Sequence, residues 1–215
     1  MERREILLLL VFSCVYLKCF VQTEKCDPKP LIKKHEGYKQ CVYLDTSGKR
    51  TIGYGFNMEK AGAREEFIRA DPRGHCQGTA GKTFDMFLKS PLTKCSKTCP
   101  GCCKDSEISK CLSVPCLDNK YIERLLDSSL KTAIVDAEVV IGNSTFNALC
   151  CPVQNAIVNM AYNLGRTKFK DFVKFKAAIE KGDWDKAAYE AKNSIWCGQV
   201  KTRCTDISKI IGAGC

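Results

Sequence analysis

Hydrophobic and polar positions alternate differently in successive parts of the chain, and the first part combines two patterns. Residues 29–37, KPLIKKHEG, predict a short helix that stops at Gly37. The segments YKQCVYLD (38–45) and RTIGYGF (50–56) are rich in strand formers, and they flank the turn-like TSGK (46–49). This part of the chain therefore predicts a short helix followed by a small β-hairpin.

From Asp118 onward the apolar residues recur at helical spacing. Asp118 is a candidate N-cap for a helix that ends near Gly142 and Asn143. A helix over 153–165, after Pro152, is apolar on nearly all sides and is expected in the core. Further helices are predicted over FKDFVKFKAAIEKG (169–182), over DWDKAAYEAKN (183–193) and once more in the C-terminal tail. The pattern thus predicts an α+β protein with a small N-terminal β element and a helical body.

Residues 60–117 interrupt this regular patterning. They hold seven of the 16 cysteines and few apolar runs. EEFIRA (65–70) and TFDMFLK (83–89) predict short helical turns, and the remainder predicts a loop-rich insert held by disulfides. The run Cys99-Pro-Gly-Cys102-Cys103 would also suit half of a zinc site, although disulfides are the favoured interpretation in so cysteine-dense a segment.

The first residues resemble a targeting segment. Two arginines precede the apolar run ILLLLVFSCVYL (6–17), which is short for a membrane span and typical of a secretory signal. We expect a signal peptide over 1–22, with an uncleaved anchor as the alternative, and a single mature domain over 23–215. Loss of Cys14 and Cys19 would leave fourteen of the 16 cysteines, an even number that suits full disulfide pairing in a secreted, extracellular protein.

Charge and missing motifs narrow the function classes. The net charge of +10 favours anionic surfaces such as bacterial envelopes, but the basic residues are dispersed, which argues against nucleic acid as partner. The two histidines, His35 and His75, do not form HExxH; Gly53 and Gly55 lack the third glycine of a dinucleotide site; and GxSxG is absent. We expect a monomer without metal or cofactor and without membrane insertion.

Three polar residues near the hairpin suggest chemistry. Glu36 ends the predicted helix, where the helix dipole disfavours a negative charge, as a general acid requires. Asp45 lies at the more solvated strand-to-turn junction, and Thr51 begins the returning strand, so that its hydroxyl can come back towards Asp45. Two carboxyl groups of different protonation with a hydroxyl to hold water would suit glycosidic bond cleavage, although this spacing also arises by chance.

The same stretch resembles the catalytic signature of phage-type (T4-like) lysozymes, glycoside hydrolase family 24. The shared run is L-I-K-K-H-E-G-Y…Y-L-D-T-S-G-K-R-T-I-G-Y-G, with Glu36, Asp45 and Thr51 in register. Downstream, N-M-A-Y-N-L-G (159–165), D-W-D-K-A-A (183–188) and S-I-W-x6-R (194–203) resemble further segments of that family. The resemblance covers roughly 29–58 and 118–211. The expected signal peptide and the many cysteines indicate a secreted, cysteine-rich, animal-type version of the family.

The resemblance implies a role for each matching residue. Glu36 would be the general acid, Asp45 the base or electrostatic partner on the opposite side of the sugar, and Thr51 would position water for inversion.

The resemblance also implies supporting residues. Arg203 would reach back to Glu36, and Asn163, in place of the family's glutamine, would hydrogen-bond a sugar or stay a satisfied core amide. We interpret Tyr162 and Trp196 as packing aromatics rather than sugar platforms, and His35 as a structural neighbour of Glu36.

The family also implies a fold and an activity. The expected fold is a small N-terminal lobe with the hairpin and a helical C-terminal lobe, within one catalytic domain over 23–215. The expected activity is hydrolysis of the β-1,4 bond between N-acetylmuramic acid and N-acetylglucosamine in peptidoglycan, for defence or digestion. A chitinase-like glycosidase and a non-catalytic cationic antibacterial protein are the alternatives.

Two departures from the family pattern stand out. Phe56 replaces the histidine that follows T-I-G-x-G, so packing or disulfides are expected to stabilise that position. The insert over 60–117 has no counterpart in the phage enzyme and could be a stabilising collar or a specificity element. Separately, Asn143-Ser144-Thr145 is a glycosylation sequon in a predicted loop.

Overall fold

The computed structural model describes residues 26–70, 80–89 and 117–215. These residues form an antiparallel sheet of three strands, β1 (Lys39–Leu44), β2 (Arg50–Gly53) and β3 (Phe56–Asn57). They also form helices α1 (Lys29–Glu36), α2 (Ala63–Ala70), α3 (Ala80–Lys89), α4 (Asn119–Ile141), α5 (Asn143–Ala148), α6 (Cys151–Phe169), α7 (Val173–Lys181), α8 (Trp184–Lys192), α9 (Ile195–Val200) and α10 (Thr202–Ala213). The α+β class is confirmed. The expected signal peptide over 1–22 and the Cys99–Cys103 run lie outside the described residues.

The sheet corrects the prediction of a simple hairpin. Residues 50–56 were expected as one strand, but the chain leaves the extended conformation at Gly53, with a φ of +66°, and turns at Gly55, with a φ of +77°. Both values lie in the left-handed region that favours glycine. The turn creates β3, which pairs back onto β2 with Thr51 opposite Asn57.

One hydrophobic core, the sheet-side core, lies between the sheet and α2, α3 and the start of α4. Its buried members are Val42, Ile52, Phe56, Met58, Ala63, Phe67, Ala70, Ala80, Phe84, Phe87, Leu117, Tyr121, Ile122 and Leu125. Phe67 is central, since its ring contacts the rings of Phe56, Phe84, Phe87 and Tyr121. Helices α2 and α3 confirm the two helical turns predicted inside 60–117, and Phe56 is stabilised by packing.

A second core, the helical core, is centred on α6. Ala156, Ile157 and Met160 of α6 are fully buried among side chains from the second half of α4 and from the later helices. Helix α4 therefore contributes to both cores, and its predicted limits hold. Asp118 caps it by accepting a hydrogen bond from the Tyr121 N–H at 2.7 Å, and Gly142 follows its last residue.

The later helices were predicted less accurately. Helix α6 runs past the expected end at 165 to Phe169, with a break at Gly165, whose φ is +68°. Because Phe169 still belongs to α6, the helix predicted over 169–182 begins only at Val173. The tail contains two helices rather than one, separated at Lys201 with a φ of +44°. The loop predicted at Asn143-Ser144-Thr145 is wrong, because these residues begin α5.

Disulfides fasten the segment before α1 and the residue after α10 and Gly214 to the helical core. Cys151 bonds Cys26, before α1, and the adjacent Cys150 bonds the C-terminal Cys215. Cys197 pairs with Cys204 across the junction of α9 and α10, and Cys41 of β1 is disulfide-bonded as well. No helix within the described ranges is long and apolar enough to cross a membrane.

Candidate active site

A cleft of about 510 Å³ lies where the sheet, α1, α2, α4 and α6 meet. Its lining includes four of the five residues singled out from the sequence, namely Glu36, Asp45, Thr51 and Asn163. The fifth, Arg203, reaches the cleft through its contact with Glu36. Asn163 and Arg203 lie far from the other three in the sequence, so the fold brings them together.

Glu36 is fixed from two sides at the end of α1. The helix stops there because Gly37 adopts a φ of +67°, and its N–H bonds the Lys33 carbonyl. One carboxyl oxygen, Oε1, pairs with Arg203 Nη2 at 2.7 Å, and the two side chains are only 15% and 6% exposed. The other oxygen, Oε2, lies so close to Gly55 that a Cβ on that glycine would come within 2.5 Å. The carboxyl group therefore has little freedom to move.

Two electrostatic influences act on Glu36 in opposite directions. The carbonyl end of α1 disfavours a negative charge at that position. The buried guanidinium of Arg203 favours it, and a pair this well shielded from water interacts more strongly than an exposed one. The position of Glu36 thus combines a group that opposes its charge with a group that stabilises it.

Asp45 is held by the turn that follows β1. Its Oδ1 accepts hydrogen bonds from the Ser47 N–H at 2.8 Å and the Lys49 N–H at 2.9 Å. The Asp45 N–H in turn donates to the Lys49 carbonyl at 2.9 Å. Among the described residues Oδ2 has no hydrogen-bond partner. One oxygen of the carboxylate orients the group, and the other remains available to a ligand.

Thr51 and Tyr43 lie opposite each other on the paired strands β2 and β1. Thr51 is 3% exposed, and its Oγ1 donates to the Lys49 carbonyl at 3.1 Å, which leaves the oxygen free to accept a hydrogen bond. Burial raises the pKa of Tyr43 to about 12, and the negative charges of Glu36 and Asp45 add to this. Both carboxyl groups therefore act on one neutral phenol at the wall of the cleft.

Asn163 faces the cleft from α6. Its Oδ1 accepts a hydrogen bond from Trp196 Nε1 at 2.8 Å, and Trp196 is 4% exposed and packs edge-on against Phe172. Asn163 itself is exposed rather than a core amide. With its oxygen held by the indole, its NH₂ group is the part available to a ligand.

A second polar group lines the cleft and was not anticipated from the sequence. Glu66 of α2 is 4% exposed; it accepts a hydrogen bond from Ser129 Oγ at 2.5 Å and pairs with Lys60 Nζ at 2.6 Å. Asp136 of α4 pairs with Arg166 Nε at 2.7 Å on the same wall. No sequence signal distinguished Glu66 from the adjacent Glu65, because burial here depends on how α2 packs against α4.

His35 occupies the structural position expected of it. Its side chain is 4% exposed and its Nε2 lies 3.0 Å from Asp206 Oδ2, while Nδ1 lies 3.4 Å from Asn159 Oδ1. Asp206 and Arg203 are both on α10, so His35 and Glu36 connect the end of α1 to the same helix. In the described ranges no cluster of His, Cys, Asp and Glu side chains is suited to a metal ion.

Asp206→Asn should destabilise the protein in a pH-dependent way. Hydrogen bonds from Lys34 and then His35 lower the pKa of Asp206 below its ordinary 3.8. A depressed pKa gives a contribution that is complete above the ordinary value and is lost as the pH falls through the lowered one. We expect a loss of about 1 kcal/mol near neutral pH that shrinks towards about pH 3, measured by urea unfolding.

Lys34→Met is the matched control for Asp206→Asn. Lys34 is 63% exposed and its substitution removes one of the two partners of Asp206, while the buried His35 remains. It should therefore cost less than Asp206→Asn. An equal loss for Asp206→Asn at both pH values would contradict the assignment of its effect to these charge interactions.

The fold and this cleft define a class of protein: an α+β protein whose candidate site contains two carboxyl groups, the pair of groups with which most glycoside hydrolases work. No family model matches the chain. It is similar to "Probable T4-type lysozyme 2" of Dictyostelium discoideum, with 28% identity over 187 residues, which cover 86% of this chain and 94% of that protein. "Probable T4-type lysozyme 1" of the same organism is 25% identical over 190 residues, with the same coverage. These matches support assignment of the chain to the T4-type lysozyme family, as the sequence motifs indicated.

Proposed function

We propose that the protein is a lysozyme, an N-acetylmuramidase that hydrolyses the β-1,4 bond between N-acetylmuramic acid and N-acetylglucosamine in bacterial peptidoglycan. The observation that carries this proposal is the Glu36 carboxyl group, held between Arg203 and Gly55 at the wall of a cleft that Asp45 and Thr51 also line. The names of the two relatives support the same activity.

Glu36 acts as the general acid. It transfers its proton to the glycosidic oxygen as the bond to the anomeric carbon breaks, and this leaves a carboxylate on Glu36. Arg203, 2.7 Å away, stabilises that carboxylate, so its interaction strengthens as the proton leaves. The carbonyl end of α1 opposes a negative charge at this position. The two opposing influences thus serve successive stages of the same step.

Asp45 and Thr51 act on the other reactant, water. Thr51 Oγ1 accepts a hydrogen bond from the water, and Asp45 Oδ2 takes its proton or stabilises the positive charge that develops on the sugar ring. Attack from the face opposite the leaving group inverts the anomeric carbon. Asn163 donates its NH₂ group to a sugar acceptor, with its oxygen held by Trp196.

The wider organisation fits a glycan-binding enzyme. The sheet-side core and the helical core are proposed as the centres of two lobes with the cleft between them, inside one catalytic domain over 23–215. The cysteine-rich insert over 60–117 contributes α2, and with it Glu66, to the cleft wall, which favours a role beside the substrate. The disulfides support an exported protein, and the charge of +10 favours contact with anionic bacterial surfaces, in defence or digestion.

Product analysis tests the proposed substrate and bond. The protein should release glycan fragments with muramic acid at the reducing end from purified peptidoglycan, as identified by mass spectrometry, and should leave chitin oligosaccharides intact. Proton NMR of fresh product should show the α anomer first, as inversion requires. Fragments that end in reducing N-acetylglucosamine, or efficient cleavage of chitin, would favour the chitinase-like alternative.

A further inference from the structure

We propose that Tyr162 is a positioning residue, which holds the turn between β2 and β3 in the place where Gly55 confines the Glu36 carboxyl group. The inference rests on the proposed function for its kinetic consequence, but its structural part concerns only the position of Glu36.

The first step is a hydrogen bond between α6 and the turn that joins β2 to β3. Tyr162, on α6, donates its hydroxyl proton to the Tyr54 backbone carbonyl at 2.6 Å. Tyr54 directly precedes Gly55 in the turn between β2 and β3. This short bond fixes the backbone of the turn between β2 and β3. On its C-terminal side the turn is followed only by β3, a strand of two residues. The hydroxyl therefore ties the turn to α6, the helix on which the helical core is centred.

The second step is the contact between that turn and Glu36. Oε2 of Glu36 lies against Gly55, while Oε1 is paired with Arg203. Arg203 alone would leave the carboxyl group free to rotate away from the cleft on the Gly55 side. The turn closes that side, so any displacement of Tyr54 and Gly55 changes the room available to Glu36.

The third step concerns the state of the hydroxyl. Burial raises the pKa of Tyr162 strongly, and the negative charges of Glu36 and Glu66 act in the same direction. The phenol therefore stays protonated at neutral pH and remains a hydrogen-bond donor there. Glu66 is itself fixed by Ser129 and Lys60, so the surroundings of the hydroxyl are ordered on the far side as well.

The ring and the hydroxyl of Tyr162 have separable roles. The ring packs partly buried against the helical core, and this is the packing role expected from the sequence. The ring of Tyr54 is held independently of Tyr162, by the Lys33 ammonium 5.2 Å from its centroid and by the ring of Tyr38, also at 5.2 Å. Replacement of Tyr162 by phenylalanine therefore removes the hydrogen bond to Tyr54 and the interaction of the hydroxyl with Ser129. It keeps the packing of the Tyr162 ring and both contacts of the Tyr54 ring.

Tyr162→Phe tests the proposal by a structural and a kinetic measurement. The carboxyl-carbon NMR signal of Glu36, assigned by its loss in Glu36→Gln, should shift in Tyr162→Phe and stay unchanged in Tyr189→Phe. Tyr189 is 55% exposed and lies outside the cleft, so it is the matched control. On a soluble peptidoglycan fragment, kcat should fall on the order of tenfold with little change in KM, because the substrate still binds while the acid is misplaced.

A double-mutant cycle with Gly55→Ala identifies the route. If Tyr162 acts through the turn, the double variant should lose little more activity than Gly55→Ala alone; losses that multiply would overturn the proposed route. An unshifted Glu36 signal in Tyr162→Phe would overturn the proposal whatever the kinetics. A shifted signal in a protein that releases no glycan fragments would uphold the positioning role and reject the lysozyme function, so the two failures are distinguishable.

Discussion

Glu36→Gln should abolish hydrolysis of purified peptidoglycan, with a loss in kcat of about 10³-fold or more. The amide has no proton to give to the glycosidic oxygen, yet it keeps the size of the carboxyl group, and its oxygen can still accept the hydrogen bond from Arg203. Substrate binding should therefore change much less than turnover. Release of reducing ends from purified peptidoglycan measures the effect directly.

The control for Glu36→Gln must match its change in charge. The variant raises the net charge by one, which by itself strengthens attraction to anionic cell walls. Glu180→Gln makes the same change on an exposed side chain whose ion pair with Lys176 is loose, at 3.7 Å. We expect Glu180→Gln to retain wild-type turnover. Reducing ends released by Glu36→Gln at the wild-type rate would contradict the proposed mechanism.

Whole-cell assays with the same two variants separate enzymatic killing from killing by charge. If bacteria survive Glu36→Gln, lysis depends on hydrolysis. If they die although no reducing ends are released, the cationic surface has an antibacterial activity of its own. That activity should weaken as salt is added, because salt screens the attraction between exposed charges.

Gly55→Ala should cause the second large loss, on the order of 10²-fold in kcat together with lower stability. The added Cβ would lie 2.5 Å from Glu36 Oε2, inside the contact distance of any real Cβ. The carboxyl group and the turn must move apart, and the acid leaves its place in the cleft. Backbone strain adds about 1–2 kcal/mol, because the φ of +77° disfavours a residue with a Cβ. Urea unfolding and turnover on a soluble fragment measure the two effects.

Gly182→Ala is the matched control for the strain. Gly182 follows α7 with a φ of +67°, and among the residues that the structure describes a Cβ there would meet only Trp184, at 3.9 Å. It should lose similar stability and keep wild-type turnover per folded molecule. If both variants lost turnover only in proportion to their stability, the contact with Glu36 would have no special importance.

Local features of the sequence predicted the elements that present Glu36 and Asp45. Gly37 ends α1 directly after Glu36. The turn after β1 is stabilised by the Asp45 carboxylate, which accepts hydrogen bonds from two backbone N–H groups of that turn. The end of α1 and the turn at Asp45 both depend on backbone conformations that neighbouring residues determine. The same locality explains the accurate limits of α4, where Asp118 supplies the cap at one end and Gly142 the break at the other.

The predicted limits of two segments differ from the structure because the local preference for strand or helix did not define where each element ends. Residues 50–56 carry strand formers throughout, yet two glycines with positive φ divide them into β2 and β3. Residues 169–182 have one helical periodicity, but Phe169 is drawn into the helical core at the end of α6 and shifts the start of α7 to Val173. In both cases the sequence pattern predicted the correct type of secondary structure but the wrong first or last residue.

The sequence by itself determined the α+β class, the helix end at Glu36, the turn at Asp45 and the resemblance to T4-type lysozymes, because these depend on residues close together in the chain. Only the tertiary structure decided that Gly55 confines Glu36, that Tyr162 holds the Gly55 turn, and that Glu66 faces the cleft. It also decided that Cys150 and Cys151, though adjacent, bond partners near opposite ends of the chain. The physical reason is that these contacts follow from the packing of α4 and α6 between two cores, and no local periodicity encodes which distant side chains that packing brings together.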